Sequence, residues 1–467
     1  MKVKCEGYNT DLEVFAYKPE AARPTKSLQA TAMKIKYVDV FWEIFLPSMS
    51  SASRTPNGDW TRLVRDRYST GDGPFKNALL AVTLSRVGQY SNNMSMTITG
   101  DNYYNACLRQ IIQAINQNDK VSNDETIATC LLLSLYEILC SPVSAKGWLN
   151  HVQGLGTLIR LRGPHAFTSG ISHELFASAR LEMIHAAMVV RKTTFLGSPE
   201  WISIPWSMSN APKSFYDRII DISAQIPQIL ETYHRIKIAQ PSNWEALLEV
   251  CWGLDNAMQD WCRDFYPICA PLHTDPTNSF TQSKPNLAFP LTAEARISFE
   301  HAQALSIYWT NCVFLYTTIC QVWHETDSPS YLLPRRIDPH LYAVIISDSL
   351  PYFSGPQAGE GSLVFYTISV GVAIHYLSAS GEAGSQNHQR LTDLITPEGD
   401  VEHIRARIGL FLKILAKSSV VPSRDTTGSE GKEDLDDFEV VELAQQWWGG
   451  GRNAITLPTR IREISDS

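Results

Sequence analysis

The sequence predicts an all-α fold, a large multi-helix bundle of packed antiparallel helices, and three observations support it. Apolar residues recur at helical spacing along most of the chain, as at Tyr104, Leu108 and Ile111. Alternating apolar and polar residues, which are typical of strands, are nearly absent. Stop signals such as Gly163-Pro164 end the periodic segments. With 467 residues, the chain is long enough to bury a large core.

The elements follow one another from an N-terminal linker onward. Residues 1–30 are polar and contain prolines, so we expect an extended linker there. The periodic segments predict helices at about 37–46, 104–115, 122–138, 148–162, 171–190, 213–238, 242–266, 291–323, 338–349, 360–380 and 388–416. The segments 48–59, 270–290 and 328–339 are rich in proline, serine or glycine and are predicted loops.

Three of these helices permit more specific predictions. Ser122 and Glu125 form a capping box that opens a helix whose faces are all apolar, so this helix should be central and buried. Gly154 and Gly156 each cost roughly 1 kcal/mol against alanine, which predicts that another helix crosses closely there. The apolar run 363–379 contains tyrosine and histidine and is predicted to be a buried helix rather than a membrane span.

Composition restricts the classes of function. A net charge of -8 argues against a broad basic face, so the chain by itself should bind DNA poorly. Eight of the nine cysteines lie in or beside apolar helical patterns and no Cys-x2-Cys pair occurs, which suits reduced thiols in an intracellular protein. The N-terminus lacks the apolar core of a signal peptide.

No set of catalytic or cofactor-binding residues can be assembled from the sequence. No two histidines lie within four residues of each other, which excludes helical zinc motifs, and neither a nucleophile elbow nor a phosphate-binding loop occurs. The clustered aspartates Asp434, Asp436 and Asp437 lie in a polar tail rather than on a helix that could line a cavity. We therefore predict that the protein is not an enzyme.

Single histidines and cysteines are given structural interpretations. His151, His185 and His375 lie on apolar-rich helices and are predicted to be hydrogen-bonded core or boundary residues. Cys312 and Cys320 are predicted to be packing residues rather than a redox pair.

The C-terminal part has a different composition. Residues 421–437 are polar and acidic and are predicted to form a disordered linker. Residues 438–467 form a tail in which 438–448 is a short amphipathic helix. This part is predicted to be a solvated linker with a docking helix; an activation segment is the alternative, because acidic and aromatic residues are mixed there.

Several motifs occur together in a recognisable order between residues 74 and 206. They are Ala78-Leu-Leu-Ala-Val-Thr-Leu-Ser85, Tyr103-Tyr-Asn-Ala106, Asp124-Glu-Thr-Ile127, Leu131-Leu-Leu-Ser-Leu-Tyr-Glu137, Trp148-Leu-Asn-His151, Gly154-Leu-Gly156, Leu158-Ile-Arg-Leu-Arg-Gly-Pro164 and Phe195-Leu-Gly-Ser-Pro-Glu-Trp201. This series resembles the fungal-specific transcription factor domain, the helical regulatory region that accompanies Zn2Cys6 binuclear-cluster DNA-binding modules. The resemblance implies a regulatory domain over residues 31–420.

The N-terminus fits the same resemblance. Lys4-Cys5-Glu6-Gly7-Tyr8 is similar to the end of a Zn2Cys6 module, and by that match Cys5 corresponds to the last zinc ligand. One thiolate cannot hold two zinc ions, so Cys5 is expected not to bind zinc in this chain. Either the gene model begins too late, or the protein is a cluster-less relative. Zinc is therefore a cofactor only if the upstream cluster exists.

The resemblance implies a nuclear fungal transcription regulator that controls pathway genes, such as those of a secondary-metabolite cluster. Expected partners are promoter DNA through the missing module, a second copy in a homodimer, the transcription machinery or other regulators, and a small-metabolite effector; no membrane is expected. A cluster-less co-regulator that acts through protein partners is the alternative. An enzyme on a helical scaffold is a more remote alternative.

Overall fold

Helices packed on helices make up the part of the chain that the structure describes, and no strand occurs within it. The computed structural model describes residues 26–45, 64, 73–116, 123–140, 145–209, 212–238, 243–269, 287–292, 295, 297–326, 333–354 and 359–393. The predicted all-α class is confirmed.

The first part of the chain contributes six longer helices. They are α1 Lys26–Phe45, α2 Gly73–Tyr90, α3 Met94–Asn116, α4 Asp124–Leu139, α5 Ala145–Arg162 and α6 Gly170–Val190. Short 3-10 turns at Pro164–Phe167, Phe195–Gly197 and Ile204–Trp206 accompany the single helical turn α7, Pro199–Ser203.

The second part begins at residue 215 and is also helical. Its helices are α8 Phe215–Ser223, α9 Ile226–Ile238, α10 Trp244–Cys269, α11 Phe299–Glu325, α12 Pro339–Ser354, α13 Gly359–Ala379 and α14 Gln386–Asp393. Helix α11 packs against α8, α9, α10, α12 and α13, so it is the central helix of this part.

Several helix boundaries differ from the predictions. The helix predicted at 213–238 is two helices, because the chain breaks at Ala224 and Gln225 and then restarts with Pro227 in the first turn of α9. The helix predicted at 291–323 begins only at Phe299, where the Ser298 side chain accepts a hydrogen bond from the His301 backbone N–H. Helix α1 begins at Lys26, so residues 26–30 of the predicted linker are helical.

The predicted capping box of α4 is wrong. The N-cap is Asn123, whose Oδ1 accepts from the Thr126 backbone N–H at 2.8 Å and from the Thr126 hydroxyl at 3.0 Å. Asn caps a helix as well as Ser does, so the sequence could not choose between two adjacent candidates. The prediction that α4 is buried on all faces is confirmed, since every residue from Ile127 to Tyr136 is buried.

Close helix crossings occur at glycines, although not all the predicted ones. A Cβ at Gly156 would lie 3.5 Å from Met183 Sδ on α6, which confirms the predicted crossing there. A Cβ at Gly154 would meet no atom within 4 Å, so that prediction is wrong. The tightest approach was not predicted. A Cβ at Gly100 on α3 would lie 2.5 Å from the Ser85 backbone nitrogen of α2.

Helix α13 contains the apolar run that was predicted to be buried. Its residues from Tyr366 to Ile374 are all buried, which confirms the prediction. None of the described helices combines the length and the apolarity needed to cross a membrane.

Candidate functional site

Helix α6 carries polar side chains on two faces of an otherwise apolar helix. Ser178, Glu182 and His185 are spaced by four and three residues, which puts them on one side of the helix. Arg180 points to another side, where α8 packs. The sequence predicted a helix here and singled out only His185, as a hydrogen-bonded core or boundary residue.

The Ser178–Glu182–His185 face borders a cavity of about 60 Å³ between α1, α4, α6 and α13. Its apolar lining comes from α1, α4, α13 and one residue of α6, and consists of Phe45, Leu131, Leu135, Ile138, Leu181, Val364, Phe365 and Ile368. One wall of the cavity is therefore polar and the others are apolar, which is the pattern of small-molecule sites in proteins.

Glu182 is the most strongly bonded of the polar lining residues. Its Oε1 accepts hydrogen bonds from the Ser134 hydroxyl and from the Trp148 indole N–H, each at 2.6 Å. Because both bonds end on Oε1, Oε2 is the carboxylate oxygen left for another donor. Among the described residues, no lysine or arginine forms an ion pair with Glu182.

The other two polar lining residues differ in their bonding. Ser178 Oγ is buried and has no hydrogen-bond partner within the described part of the chain. His185 is 7% exposed and does interact with its surroundings. A buried hydroxyl without a partner costs free energy unless a ligand or water satisfies it.

The opposite face of α6 is held by an ionic cluster with α8. The Arg180 guanidinium is 2.5 Å from Asp217 and 2.8 Å from Asp221, and the Lys213 ammonium is 2.5 Å from Asp221. Both cations lie over the ring of Trp206, at 4.2 Å for Arg180 and 4.0 Å for Lys213. We refer to these five residues as the α6–α8 clasp.

Burial opposes ionisation inside the clasp. It raises the pKa of Asp221, although Arg180 and Lys213 act in the other direction. It also lowers the pKa of Lys213, against the attraction of Asp221. The clasp therefore depends on every charge keeping its partner, as is usual for buried ion pairs.

A second buried polar cluster joins α3, α4 and α5. The Tyr104 hydroxyl donates to Glu137 and lies 3.0 Å from His151 Nε2. Burial lowers the pKa of His151 to about 4, so the imidazole is neutral at physiological pH. The prediction that His151 is a hydrogen-bonded core residue is confirmed.

The remaining predicted residues have packing positions or lie outside the structure. His375 is half-buried, and burial together with Arg191 lowers its pKa. Cys312 is fully buried and Cys320 is partly buried, and burial raises the pKa of both thiols, which disfavours the reactive thiolate. Cys5, the predicted zinc-ligand remnant, lies outside the described residues, as do the acidic linker and the tail after residue 420.

The chemistry available to the described residues is recognition. Within these residues, no group of three or more His, Cys, Asp or Glu side chains could hold a metal ion. The cavity offers a hydrogen-bond acceptor, a hydroxyl and apolar walls. These groups can bind a small molecule.

Comparison with known proteins finds that one family model matches about a third of the chain. Residues 36–192 match the model described as the fungal specific transcription factor domain, so α2 to α6 lie wholly within the match. Regulatory domains of the family that this model describes are typically non-enzymatic.

One relative is an uncharacterized protein of Emericella nidulans. It is 29% identical to this chain over 181 residues, which is 38% of this chain and 38% of the relative. The similarity therefore covers well under half of the relative. No solved structure matches the chain.

Proposed function

We propose, from the match of residues 36–192 to the fungal specific transcription factor domain, that this chain regulates transcription in a fungus through its helical region. That match is the observation that carries the proposal. The assembly of α1 to α6 supports it, because the motifs that resemble the family fall on helices packed together around the buried α4.

The finer parts of the function depend on the resemblance alone. The chain controls pathway genes, such as those of a secondary-metabolite cluster, and acts in the nucleus. Promoter DNA is bound only if a Zn2Cys6 module precedes this sequence, and in that case its last ligand corresponds to Cys5. The regulatory region then changes the output of that module, as a homodimer or through other regulators.

A tethering experiment tests the regulatory role. The chain is fused to an unrelated DNA-binding domain, and reporter transcription is measured in a fungal host against that domain alone. A change of at least several-fold in either direction supports the proposal, and equal reporter levels contradict it. A second fusion lacking residues 421–467 shows whether the acidic tail supplies the activity or only a linker.

A cluster-less co-regulator is the second candidate. It is favoured by the net charge of -8, since the chain offers no broad basic face for phosphate contacts. Genomic sequence upstream of the coding region separates the two candidates. An in-frame Cys-x2-Cys-x6-Cys pattern supports the zinc-cluster regulator, whereas an in-frame stop codon close to Met1 supports the co-regulator.

A further inference from the structure

We propose that the cavity between α1, α4, α6 and α13 is a binding site for a small aliphatic amine, whose ammonium group pairs with Glu182 while its carbon chain contacts the apolar walls. This inference goes beyond the proposed function and does not depend on it.

The charge of the ligand follows from the surroundings of Glu182. Ser134 and Trp148 donate hydrogen bonds to Oε1 from neutral groups. Neither donor supplies a positive charge, and no described lysine or arginine pairs with this residue. Glu182 is only partly buried, and its second carboxylate oxygen, Oε2, has no hydrogen-bond donor among the described residues. A ligand that brings an ammonium group supplies the charge that the protein lacks at this position.

The hydroxyl of Ser178 is the second observation that points to a ligand. It lies one helical turn from Glu182 on the same face of α6, and it is buried without a hydrogen-bond partner among the described residues. An ammonium group has three N–H donors, so one ligand nitrogen can donate to Glu182 Oε2 and to Ser178 Oγ together. An anionic ligand would instead be repelled by the carboxylate.

The size of the cavity restricts the carbon chain. An apolar cavity of about 150 Å³ takes up benzene, which has six carbon atoms, so 60 Å³ holds about two or three non-hydrogen atoms in full. The remaining atoms of a propylamine molecule would lie at the open side of the cavity. Leu131 and Leu135 on α4 and Val364 and Ile368 on α13 contact that chain from two sides. A longer alkyl amine would extend toward Phe45, at the end of α1.

The position of the site gives binding a structural consequence. Helices α4 and α6 lie within the matched segment 36–192, whereas α13 lies outside it. A ligand in the cavity contacts both parts of the chain and stabilises their packing.

The experiment uses the full chain and three probes of equal length, n-propylamine, 1-propanol and propionate, in saturation-transfer NMR titrations at pH 7. We expect the amine to bind with a dissociation constant on the order of a millimolar, the alcohol at least about tenfold more weakly, and propionate not at all. Absence of amine binding, or propionate binding as tightly as the amine, overturns the proposal.

Variants then locate the site. Glu182→Gln should weaken amine binding at least about tenfold, since it removes the charge. Ser178→Leu should abolish binding of both amine and alcohol because the larger side chain fills the cavity. The matched control is Glu249→Gln on α10, where the glutamate is exposed, and it should bind like the natural protein. Unchanged binding in Ser178→Leu, or equal losses in Glu182→Gln and Glu249→Gln, would show that the amine binds elsewhere.

Discussion

Helix α6 is held in opposite ways on its two sides. Toward α8, Arg180 is paired with two aspartates and stacked on Trp206, so its charge is matched by neighbours. Toward α13, Glu182 has two neutral donors and no described cation, and Ser178 has an unpaired hydroxyl beside a cavity. In the first interface every charge has a counter-charge within the protein, although Arg180 Nε is buried without a described hydrogen-bond partner. The second interface leaves a carboxylate oxygen and a hydroxyl that a ligand can use.

The difference distinguishes a charge that is paired inside the protein from a charge that is left able to bind something else. Arg180 is buried and Glu182 is partly buried, so the two charges of this helix also differ in their access to solvent. The separating feature is whether each charge has a counter-charge from another helix. This criterion makes the α6–α8 clasp structural and the α6–α13 cavity a candidate binding site.

Removing the cation of the clasp should have the largest effect. Arg180→Ala leaves Asp217 and Asp221 with only Lys213 to compensate two carboxylates in a buried setting. We expect the free energy of unfolding to fall by about 3–5 kcal/mol. Urea denaturation of the natural protein and of Arg180→Ala measures this loss.

The matched control for Arg180→Ala is Arg218→Ala on α8. Arg218 pairs with Asp264 at 2.7 Å, but 37% of its side chain and 51% of that of Asp264 are exposed. Its loss should cost less than about 1 kcal/mol. Equal losses for the two variants would show that the clasp is no stronger than a surface ion pair.

The next largest effect is expected from acid, which acts through His151, a residue held by a hydrogen bond with Tyr104 rather than by an ion pair with a cation. The pKa of His151 is about 4 in the folded protein and about 6.5 when unfolded, so the unfolded chain binds the proton more tightly. Stability from this residue is complete above pH 6.5 and is lost as pH falls toward 4. Between pH 7 and pH 4.5 the loss is about 2–3 kcal/mol.

Urea denaturation at those two pH values checks the contribution of His151. His151→Gln should reduce the difference in unfolding free energy between pH 7 and pH 4.5 by about 2–3 kcal/mol. The comparison variant is His324→Gln, at an exposed position on α11, which should leave that difference unchanged. If both variants show the natural pH dependence, His151 does not sense acid in the folded protein.

A smaller effect is expected at the donor side of the cavity. Ser134→Ala removes one of the two hydrogen bonds to Glu182 Oε1. We expect a loss of about 1–2 kcal/mol in the free energy of unfolding, because the acceptor is charged but still bonded to Trp148. A thermal melt with matched denaturant curves measures it.

The smallest effect, and one of opposite sign, is expected at Ser178. Ser178→Ala removes a buried hydroxyl that has no described partner and puts a better helix former into α6. Stability should rise by about 0.5 kcal/mol or stay the same. A loss above about 1 kcal/mol would mean that the hydroxyl is already bonded, which would remove the contrast between the two sides of α6.

The sequence predicted the fold better than it predicted these sites, and the reason is the range of the interactions. Periodicity reports which residues face inward, so the burial of α4 and α13 was predicted from local pattern alone. The partners of Arg180 lie 37 and 41 residues away in the chain, and no local pattern specifies that pairing. The boundary errors have local causes, since Asn123 and Ser122 are equally good caps.

One signal for the site was nevertheless present in the sequence. Arg180 and Glu182 interrupt the apolar faces of a segment that is otherwise rich in alanine, leucine and methionine. Charged residues are almost never fully buried unless they are paired. Two of them on one apolar-rich predicted helix therefore indicate polar partners elsewhere in the chain. Only the structure shows that the partners of Arg180 are carboxylates and that those of Glu182 are neutral donors.

The left-handed turn at Arg191 that ends α6 also bears on how this protein should be divided for experiments. The family match stops one residue later, at 192, and would invite expression of that stretch by itself. Such a fragment would lack α8 and α13. Arg180 would then lose both aspartates, and the apolar surface of α6 would be exposed to solvent. We therefore expect the matched stretch not to fold stably by itself, and truncated proteins should keep the chain through α14.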